Sequence, residues 1–212
     1  LIPTDTAVST YALIRDETAE RKAAAFLLGD NLERTTQGGG IYTYTSQQGA
    51  AAFRDTGSFD AAGSLSQENA EAFCRDFCKA FSYDTPIFTL DETGSGTATA
   101  VRLWNGTPVF NAAVTFTIDQ GRVLSASGAL LPEAGAETSS GQKPLSAFAA
   151  LTAFQQMRHA SSSVVSSITE VSLCYELQST TAAPMALVPS WRIVTDTATF
   201  YVNCISGTVR RA

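Results

Sequence analysis

The side chains with the most chemical potential in this chain are one histidine, four cysteines and scattered carboxylates. His159 follows the run QQMR at the end of a predicted helix, where an imidazolium interacts favourably with the helix dipole. As the base of a Ser-His-Asp triad it would need a positioned nucleophile, and the sequence contains no G-x-S-x-G, H-E-x-x-H, Walker or dinucleotide-binding motif. We therefore predict helix capping for His159 and no catalytic or cofactor-binding residue.

The cysteines form two separate pairs in the sequence. Cys74 and Cys78 lie one helical turn apart on a predicted helix with an aromatic stripe, which predicts buried thiols that act as small hydrophobes. Cys174 and Cys204 fall in two predicted strands and could form a disulfide if those strands adjoin, although the strand predicted over 187–194 would separate them. A zinc site would need more ligands than these pairs and the distant His159 provide, so no metal is predicted.

The remaining candidates are acids and tryptophans. Two carboxylates that converge in space could hydrolyse a glycoside, but the acids are scattered through predicted turns and one helix, which favours solvated side chains. These acids are Asp55, Asp60, Asp76, Asp91, Glu92 and Asp119. Trp104 and Trp191 could anchor a partner, since tryptophan is enriched at interface hot spots, but we favour packing in the core or on a sheet face.

The composition indicates a globular protein with an acidic surface. The chain has 212 residues, 44% of them hydrophobic and 16% charged, with a formal net charge of −6. Nucleic-acid binding requires clustered cations, and the adjacent pair Arg210-Arg211 is interpreted as a solvated end. The first residue is Leu1 and no run is apolar enough to cross a bilayer, so we expect that a signal peptide or membrane anchor preceded it.

Hydrophobic patterns predict two helices in the first half of the chain. The segment 16–28 is acidic at its start, rich in alanine and leucine, and followed by Gly29. A hairpin with one solvent-facing side follows three glycines at 38–40. In the segment 69–81, with Ser66 as the expected N-cap, phenylalanines recur every four residues, which predicts a core-facing stripe.

The rest of the chain is predicted to contain eight strands, one helix and one linker. Asn105-Gly106 is a strong hairpin signal, and short turns make the strands antiparallel. Residues 132–143 have few bulky apolar side chains and are predicted to be an exposed linker. The helix is predicted over 144–157, with Phe148, Leu151 and Phe154 on one face. The strands are predicted over 86–90, 97–104, 109–118, 122–130, 168–177, 187–194, 199–205 and 208–210.

Both halves of the chain place an aromatic-striped helix before an antiparallel meander. This shared order predicts an α+β fold made of two related modules, each a helix packed on a curled antiparallel β-sheet. We predict an N-terminal module over 1–135, with the extra helix and hairpin, and a C-terminal module over 140–212.

Two segments carry a family resemblance. The run LVPSWRIVTDTATFYVNCISGTV, residues 187–209, resembles the closing hairpin of PepSY-type modules, which are helix-plus-sheet units of secreted and membrane-attached bacterial proteins. Together with NGTPVFNAAVTFTIDQGRVLSASGALL, residues 105–131, and the striped helix before each, the chain resembles the YycH/YycI family of extracytoplasmic regulatory proteins. The resemblance covers about residues 66–212 and matches no functional residue position by position.

The resemblance implies a function in regulation. Proteins of the YycH/YycI type are held by one N-terminal transmembrane helix and act on a membrane sensor histidine kinase of the YycF/YycG type in Gram-positive bacteria. We therefore expect an extracytoplasmic, membrane-anchored, non-enzymatic regulator that contacts such a kinase and a related regulatory protein, and needs no cofactor. The alternatives are a PepSY-type peptidase inhibitor or peptide-binding domain, favoured by a hydrophobic groove beside an open sheet edge, and a cell-wall hydrolase.

Overall fold

The computed structural model describes residues 8–65, 69–161, 165–179 and 183–212. These residues form two compact units. The insert unit is Leu13–Ala134, and the terminal unit combines Gly135–Ala212 with the described residues before Leu13. In chain order the elements are β1 (Val8–Leu13), α1 (Glu17–Leu28), β2 (Glu33–Thr36), β3 (Tyr42–Ser46), β4 (Gly49–Phe53), β5 (Ser58–Gly63), α2 (Ala70–Ala80), β6 (Ile87–Leu90), β7 (Gly96–Trp104), β8 (Thr107–Asp119), β9 (Arg122–Ala129), β10 (Ala136–Gln142), α3 (Ala147–Ser161), β11 (Ile168–Gln178), β12 (Met185–Thr195), β13 (Thr199–Asn203) and β14 (Val209–Arg211).

Local capping fixes the start and end of α1. The Asp16 carboxylate accepts hydrogen bonds from the backbone N–H groups of Thr18 at 2.9 Å and Ala19 at 3.0 Å, which satisfies two donors that a helix start leaves free. Gly29 ends the helix with a φ of 81°, a conformation that favours glycine. The predicted helix over 16–28 is confirmed.

The aromatic stripe of α2 enters the core of the insert unit, as predicted. Phe77 is fully buried, and Phe73 and Phe81 are partly buried against the same cluster. Asn69 caps the helix by accepting from the N–H of Ala72 at 3.0 Å, whereas the expected cap, Ser66, lies outside the described residues. The apolar spacing therefore predicted the buried face correctly.

Eight antiparallel strands form the sheet of the insert unit, in the order β6-β7-β8-β9-β5-β4-β3-β2. Asn105 and Gly106 connect β7 to β8 with φ values of 49° and 78°, which is the geometry of a two-residue type I′ turn. The predicted hairpin at this dipeptide is confirmed, and so is the hairpin of β3 and β4.

The core of the terminal unit lies between α3 and its strands. β12 has β1, β11 and β13 as neighbours, β10 pairs with β1, and β14 pairs with β13. Phe154 of α3 packs against Phe200 with ring centroids 4.9 Å apart, and Trp191 donates its indole N–H to the carbonyl of Leu145 at 2.8 Å. Trp191 and Trp104 are both buried, so the prediction of core packing for the tryptophans is confirmed, whereas Phe148 is 81% exposed.

The predicted fold class, α+β in two related helix-on-sheet modules, is wrong. The described residues form fourteen strands and only three short helices, and the two units differ in their elements. The terminal unit also draws β1 from before the insert unit. The aromatic stripes of two helices are strong local signals, whereas pairing between strands distant in sequence leaves no local signal, and this explains the error. The predicted boundaries at 135 and 140 lie beside the change of unit at Gly135, but residues 8–12 cluster with the C-terminal part.

The predicted linker over 132–143 is also wrong, because it contains β10. Thr10 lies opposite Ser139 and Tyr11 opposite Glu137 in an antiparallel ladder with β1. A ladder depends on backbone hydrogen bonds, so small polar residues form it once a partner strand is present. No strand was predicted at the position of β1, and without a partner strand the segment 132–143 has only the composition of a linker.

None of the helices in the described ranges is long and apolar enough to cross a membrane; the longest, α3, has 15 residues.

Arg210 is more than the solvated end that was predicted. Its guanidinium forms an ion pair with Glu176, whose side chain is 3% exposed, while that of Arg210 is 56% exposed. The second carboxylate oxygen of Glu176 accepts from the Gln178 amide at 2.8 Å. The C-terminal strand thus supplies the counter-charge of a buried acid.

Replacing Arg210 with alanine is expected to lower the free energy of unfolding by about 1–2 kcal/mol, because a buried carboxylate loses its partner while the exposed end of the pair is screened by water. Urea denaturation would measure the loss. Arg211→Ala, in the same strand and exposed, is the matched control and should change stability by less than about 0.5 kcal/mol. Equal effects of the two substitutions would contradict the assignment.

Candidate functional site

The structure buries the candidate thiol nucleophiles and leaves the candidate base exposed. All four cysteines are free and buried, so the Cys174–Cys204 disulfide is not formed, and β12 lies between the strands concerned, as predicted. Burial raises the pKa of Cys74, Cys78, Cys174 and Cys204 to about 12, which keeps them as neutral thiols. His159 is exposed in the last turn of α3, the position that was predicted for it.

Three of the candidate acids, Asp60, Asp91 and Asp119, have local structural partners. The Asp91 carboxylate accepts from the hydroxyl of Thr93 at 2.7 Å and from the N–H groups of Thr93 and Ser95, and these bonds lower the pKa of Asp91. Asp119 accepts from the Ser95 hydroxyl at 3.0 Å, and Asp60 pairs with Arg54 at 2.6 Å. Among the residues that the structure describes, no group of three metal-ligating side chains could hold an ion.

One edge of the insert unit's sheet is the β6 edge, which we define as Ile87–Leu90. In the part of the chain that the structure describes, β6 pairs only with β7, with Ile87 opposite Thr99 and Leu90 opposite Gly96. Ile87 is 75% exposed and Leu90 36%. An exposed edge strand with apolar side chains is a template for pairing with another chain.

Alternation along β6 determines which backbone groups face outward. The N–H of Asp91 donates to the carbonyl of Ser95 at 2.9 Å, so Asp91 points its backbone groups at β7. In an antiparallel pair this direction alternates, so Thr89 and Ile87 also face β7. The N–H and C=O groups of Phe88 and Leu90 therefore point away from β7, towards the free side of the edge.

Helix α2 lies beside the β6 edge. The Arg75 guanidinium stands 5.5 Å from the centroid of the Phe88 ring, and Phe88 packs against the core of the insert unit. Leu90 and the start of α2, Asn69, line a cavity of about 530 Å³. The edge therefore has a helix along one face and a cavity at its C-terminal end.

A second cavity lies at the other end of this segment. Ser82 and Asp84 continue the pairing with β7, since Leu103 donates to the Ser82 carbonyl at 2.9 Å and Asp84 donates to that of Val101 at 2.8 Å. Next to them, a cavity of about 460 Å³ is lined by Ser82, Arg102, Leu103, Trp104, Asn105, Gly106 and Glu133. The segment from Ser82 to Leu90 thus runs from one cavity to the other.

The strand predicted at 86–90 is confirmed, but its position at the edge of the sheet was not predicted. Which strand ends a sheet depends on long-range order, which no local pattern records. Arg102 did leave a signal, because it occupies a core-facing position of β7 in alternation with Ala98, Ala100 and Trp104, all of them buried. An arginine among the core-facing apolar residues of a strand indicates a buried charge.

The sequence matches no family model, and no curated protein sequence is significantly similar to it. Its fold is similar to the crystal structure of an uncharacterized protein from Eubacterium rectale ATCC 33656, with a TM-score of 0.54 and 12% identity over 97% of this chain and 81% of that chain. A weaker likeness, with a TM-score of 0.41 and 13% identity, relates it to the Bacillus megaterium YpeB C-terminal domain, over 94% of this chain and 98% of that domain. At such identities the first likeness concerns the fold alone, and membership of the YycH/YycI family stays a prediction.

Proposed function

We propose that this chain is a non-enzymatic binding protein that takes up an extended segment of a partner protein along the β6 edge. The observation that carries the proposal is the outward direction of the backbone groups of Phe88 and Leu90. An extended segment that adds to a sheet edge gains main-chain hydrogen bonds, while its alternating side chains supply specificity. The side chains of the partner segment alternate between two faces. On one face they would lie beside Phe88 and α2, and on the other face beside Ile87.

The partner that we propose first is a membrane sensor histidine kinase of the YycF/YycG type, contacted outside the cytoplasm by a membrane-tethered form of this protein. Support for this partner comes from the resemblance of residues 66–212 to YycH/YycI proteins. A secreted peptidase, bound by a PepSY-type inhibitor, is the second candidate. The open β6 edge beside α2 favours the peptidase as partner, because a sheet edge next to a helix suits a peptide-like segment. A cell-wall hydrolase has less support, because Asp60 is paired with Arg54, and Asp91 and Asp119 both accept hydrogen bonds from Ser95 in a turn between strands.

The binding test uses random peptides displayed with free C-termini and selected on the purified protein, with affinities measured by fluorescence polarisation. Leu90→Pro removes an outward N–H that the β6–β7 ladder does not use, so it should weaken peptide binding at least tenfold without unfolding the sheet. Ile87→Ala should weaken binding about fivefold by removing an exposed apolar contact. Unchanged affinity in both variants, or selection of no peptide, would overturn the proposal.

Ile14→Ala is the matched control for Ile87→Ala. Ile14 lies in the same unit and is 77% exposed, against 75% for Ile87. The same three side-chain carbons are removed from a surface that is not the β6 edge, so affinity should stay within twofold of wild type. A crosslinking pull-down of the full-length protein from its native membrane would then separate the kinase from the peptidase as partner.

A further inference from the structure

Arg102 is a buried cation whose charge is not balanced by a neighbouring carboxylate. The residue is 2% exposed. Its Nη1 donates to the carbonyl of Ser82 at 2.7 Å and its Nη2 to that of Leu131 at 3.2 Å, while its Nε has no hydrogen-bond partner. A guanidinium has five N–H donors, so the two carbonyls leave part of its capacity unused.

The electrostatic environment of Arg102 is unusual for a buried arginine. Within the described ranges no carboxylate lies within 4.0 Å of it, although buried charges are ordinarily paired. Burial lowers the pKa of Arg102, opposed by Tyr83 and by the charge of Glu133. Two carbonyl dipoles hold the guanidinium in place without neutralising it, so an anion that reached it would gain a charge-assisted interaction.

The cavity at Arg102 offers room for such an anion. Its volume is about 460 Å³, and Arg102, Ser82 and the turn at Asn105-Gly106 form part of its lining. Glu133 also lines the cavity and is exposed. A carboxylate in the cavity would meet the attraction of Arg102 and the repulsion of Glu133, so Glu133 limits the affinity.

The cavity lies where one end of a bound segment would fall. The segment that pairs with β7 runs from Ser82 at this cavity to Leu90. A partner segment added antiparallel to β6 would run in the opposite direction, so its C-terminal end would lie at Ser82. We propose that the Arg102 cavity binds the C-terminal carboxylate of the segment that pairs with the β6 edge, an inference that rests on the proposed function.

A test independent of the edge uses small probes and nuclear magnetic resonance. The Arg102 Nε–Hε resonance and the Gly106 amide are followed during titration with N-acetylglycine, and with N-acetylglycinamide as the uncharged control. We expect saturable shifts at both positions with the acid, and none with the amide. Equal responses to both probes, or no response to either, would overturn the carboxylate site even if display peptides bind.

A second test compares one display-selected peptide as free acid and as C-terminal amide. Amidation should weaken binding about tenfold, because it removes the charge that Arg102 attracts. Glu133→Gln, an exposed substitution that leaves the core intact, should strengthen binding of the acid several-fold and leave that of the amide unchanged. Arg102→Gln should abolish the difference between the two peptides, and its fold is checked by circular dichroism.

The outcomes separate the two proposals. Equal affinities of acid and amide, with Leu90→Pro still weakening both, would overturn the carboxylate site and leave the β6 edge supported. A response of Arg102 to N-acetylglycine without binding of any peptide would overturn the edge function, and with it the assignment of the cavity to a partner's C-terminus.

Discussion

Replacing Phe77 with alanine is expected to lower the free energy of unfolding by about 3–5 kcal/mol, because the substitution leaves a cavity at the centre of the insert unit. Phe77 is fully buried. Its ring centroid lies between 4.6 and 6.3 Å from those of Phe26, Phe59, Phe81, Tyr83 and Phe116. Urea denaturation followed by far-ultraviolet circular dichroism would measure the loss.

The control for Phe77→Ala is Phe148→Ala in the first turn of α3. This phenylalanine is 81% exposed, so its removal should change stability by less than about 0.5 kcal/mol. A loss below about 1 kcal/mol for Phe77→Ala would mean that the aromatic cluster can collapse around the missing ring, and would contradict the packing described above.

Replacing Arg15 with alanine is expected to cost about 3–5 kcal/mol, because the carboxylate of Glu20 would stay buried without its partner. Arg15 binds Glu20 with two hydrogen bonds of 2.6 and 2.9 Å, and it also donates to the carbonyls of Phe53 and Gly40. The side chain of Glu20 is 7% exposed and that of Arg15 16%. Thermal and urea unfolding would both report the loss.

Arg34→Ala is a close control for Arg15→Ala. Both guanidinium groups stand 3.9 Å from the centroid of the Tyr42 ring, so each substitution removes one cation–π contact with that ring. The ion pair of Arg34 with Glu17 is exposed, so its loss should cost less than about 1 kcal/mol. A similar cost for both variants would show that burial of Glu20 is not the cause.

The free energy of unfolding that Arg15→Ala loses should depend on pH, and the direction follows from the pKa of Glu20. Desolvation raises the pKa of Glu20 in the folded state, and Arg15 opposes that rise. When a carboxyl has a higher pKa in the folded than in the unfolded protein, its contribution to stability is fully present below the unfolded-state pKa. That contribution is lost as pH rises through the folded-state pKa. Without Arg15 the folded pKa rises further, so the variant should lose more stability near neutral pH than near pH 4. An equal deficit at both pH values would contradict this account.

Patterns that depend on neighbouring residues were read correctly from the sequence. The start of α1 at Asp16, the stripe around Phe77 and the turn at Asn105-Gly106 each follow from a few adjacent residues, and all three are confirmed. The placement of β10 beside β1 was missed, because their pairing joins residues about 130 positions apart and small polar residues carry no strand signal.

The candidate site was harder to predict than the fold elements. Ile87 and Leu90 differ from other apolar strand residues only because β6 lies at the edge of the sheet, and that position depends on the order of eight strands. Arg102 was detectable, because it interrupts an alternating apolar row. Its lack of a carboxylate partner, however, depends on Ser82 and Leu131, which are brought together only by folding.

The interruption of the terminal unit by the insert unit has a consequence for synthesis on the ribosome. The insert unit is one continuous stretch, Leu13–Ala134, so it can fold as soon as it has emerged. β1 emerges earlier, but its partners β10 and β12 are made only after the whole insert unit. At about 5–20 residues per second, β1 waits about 6–24 s for β10 as an unpaired strand. β1 therefore pairs with its partners only after the complete insert unit has been synthesised.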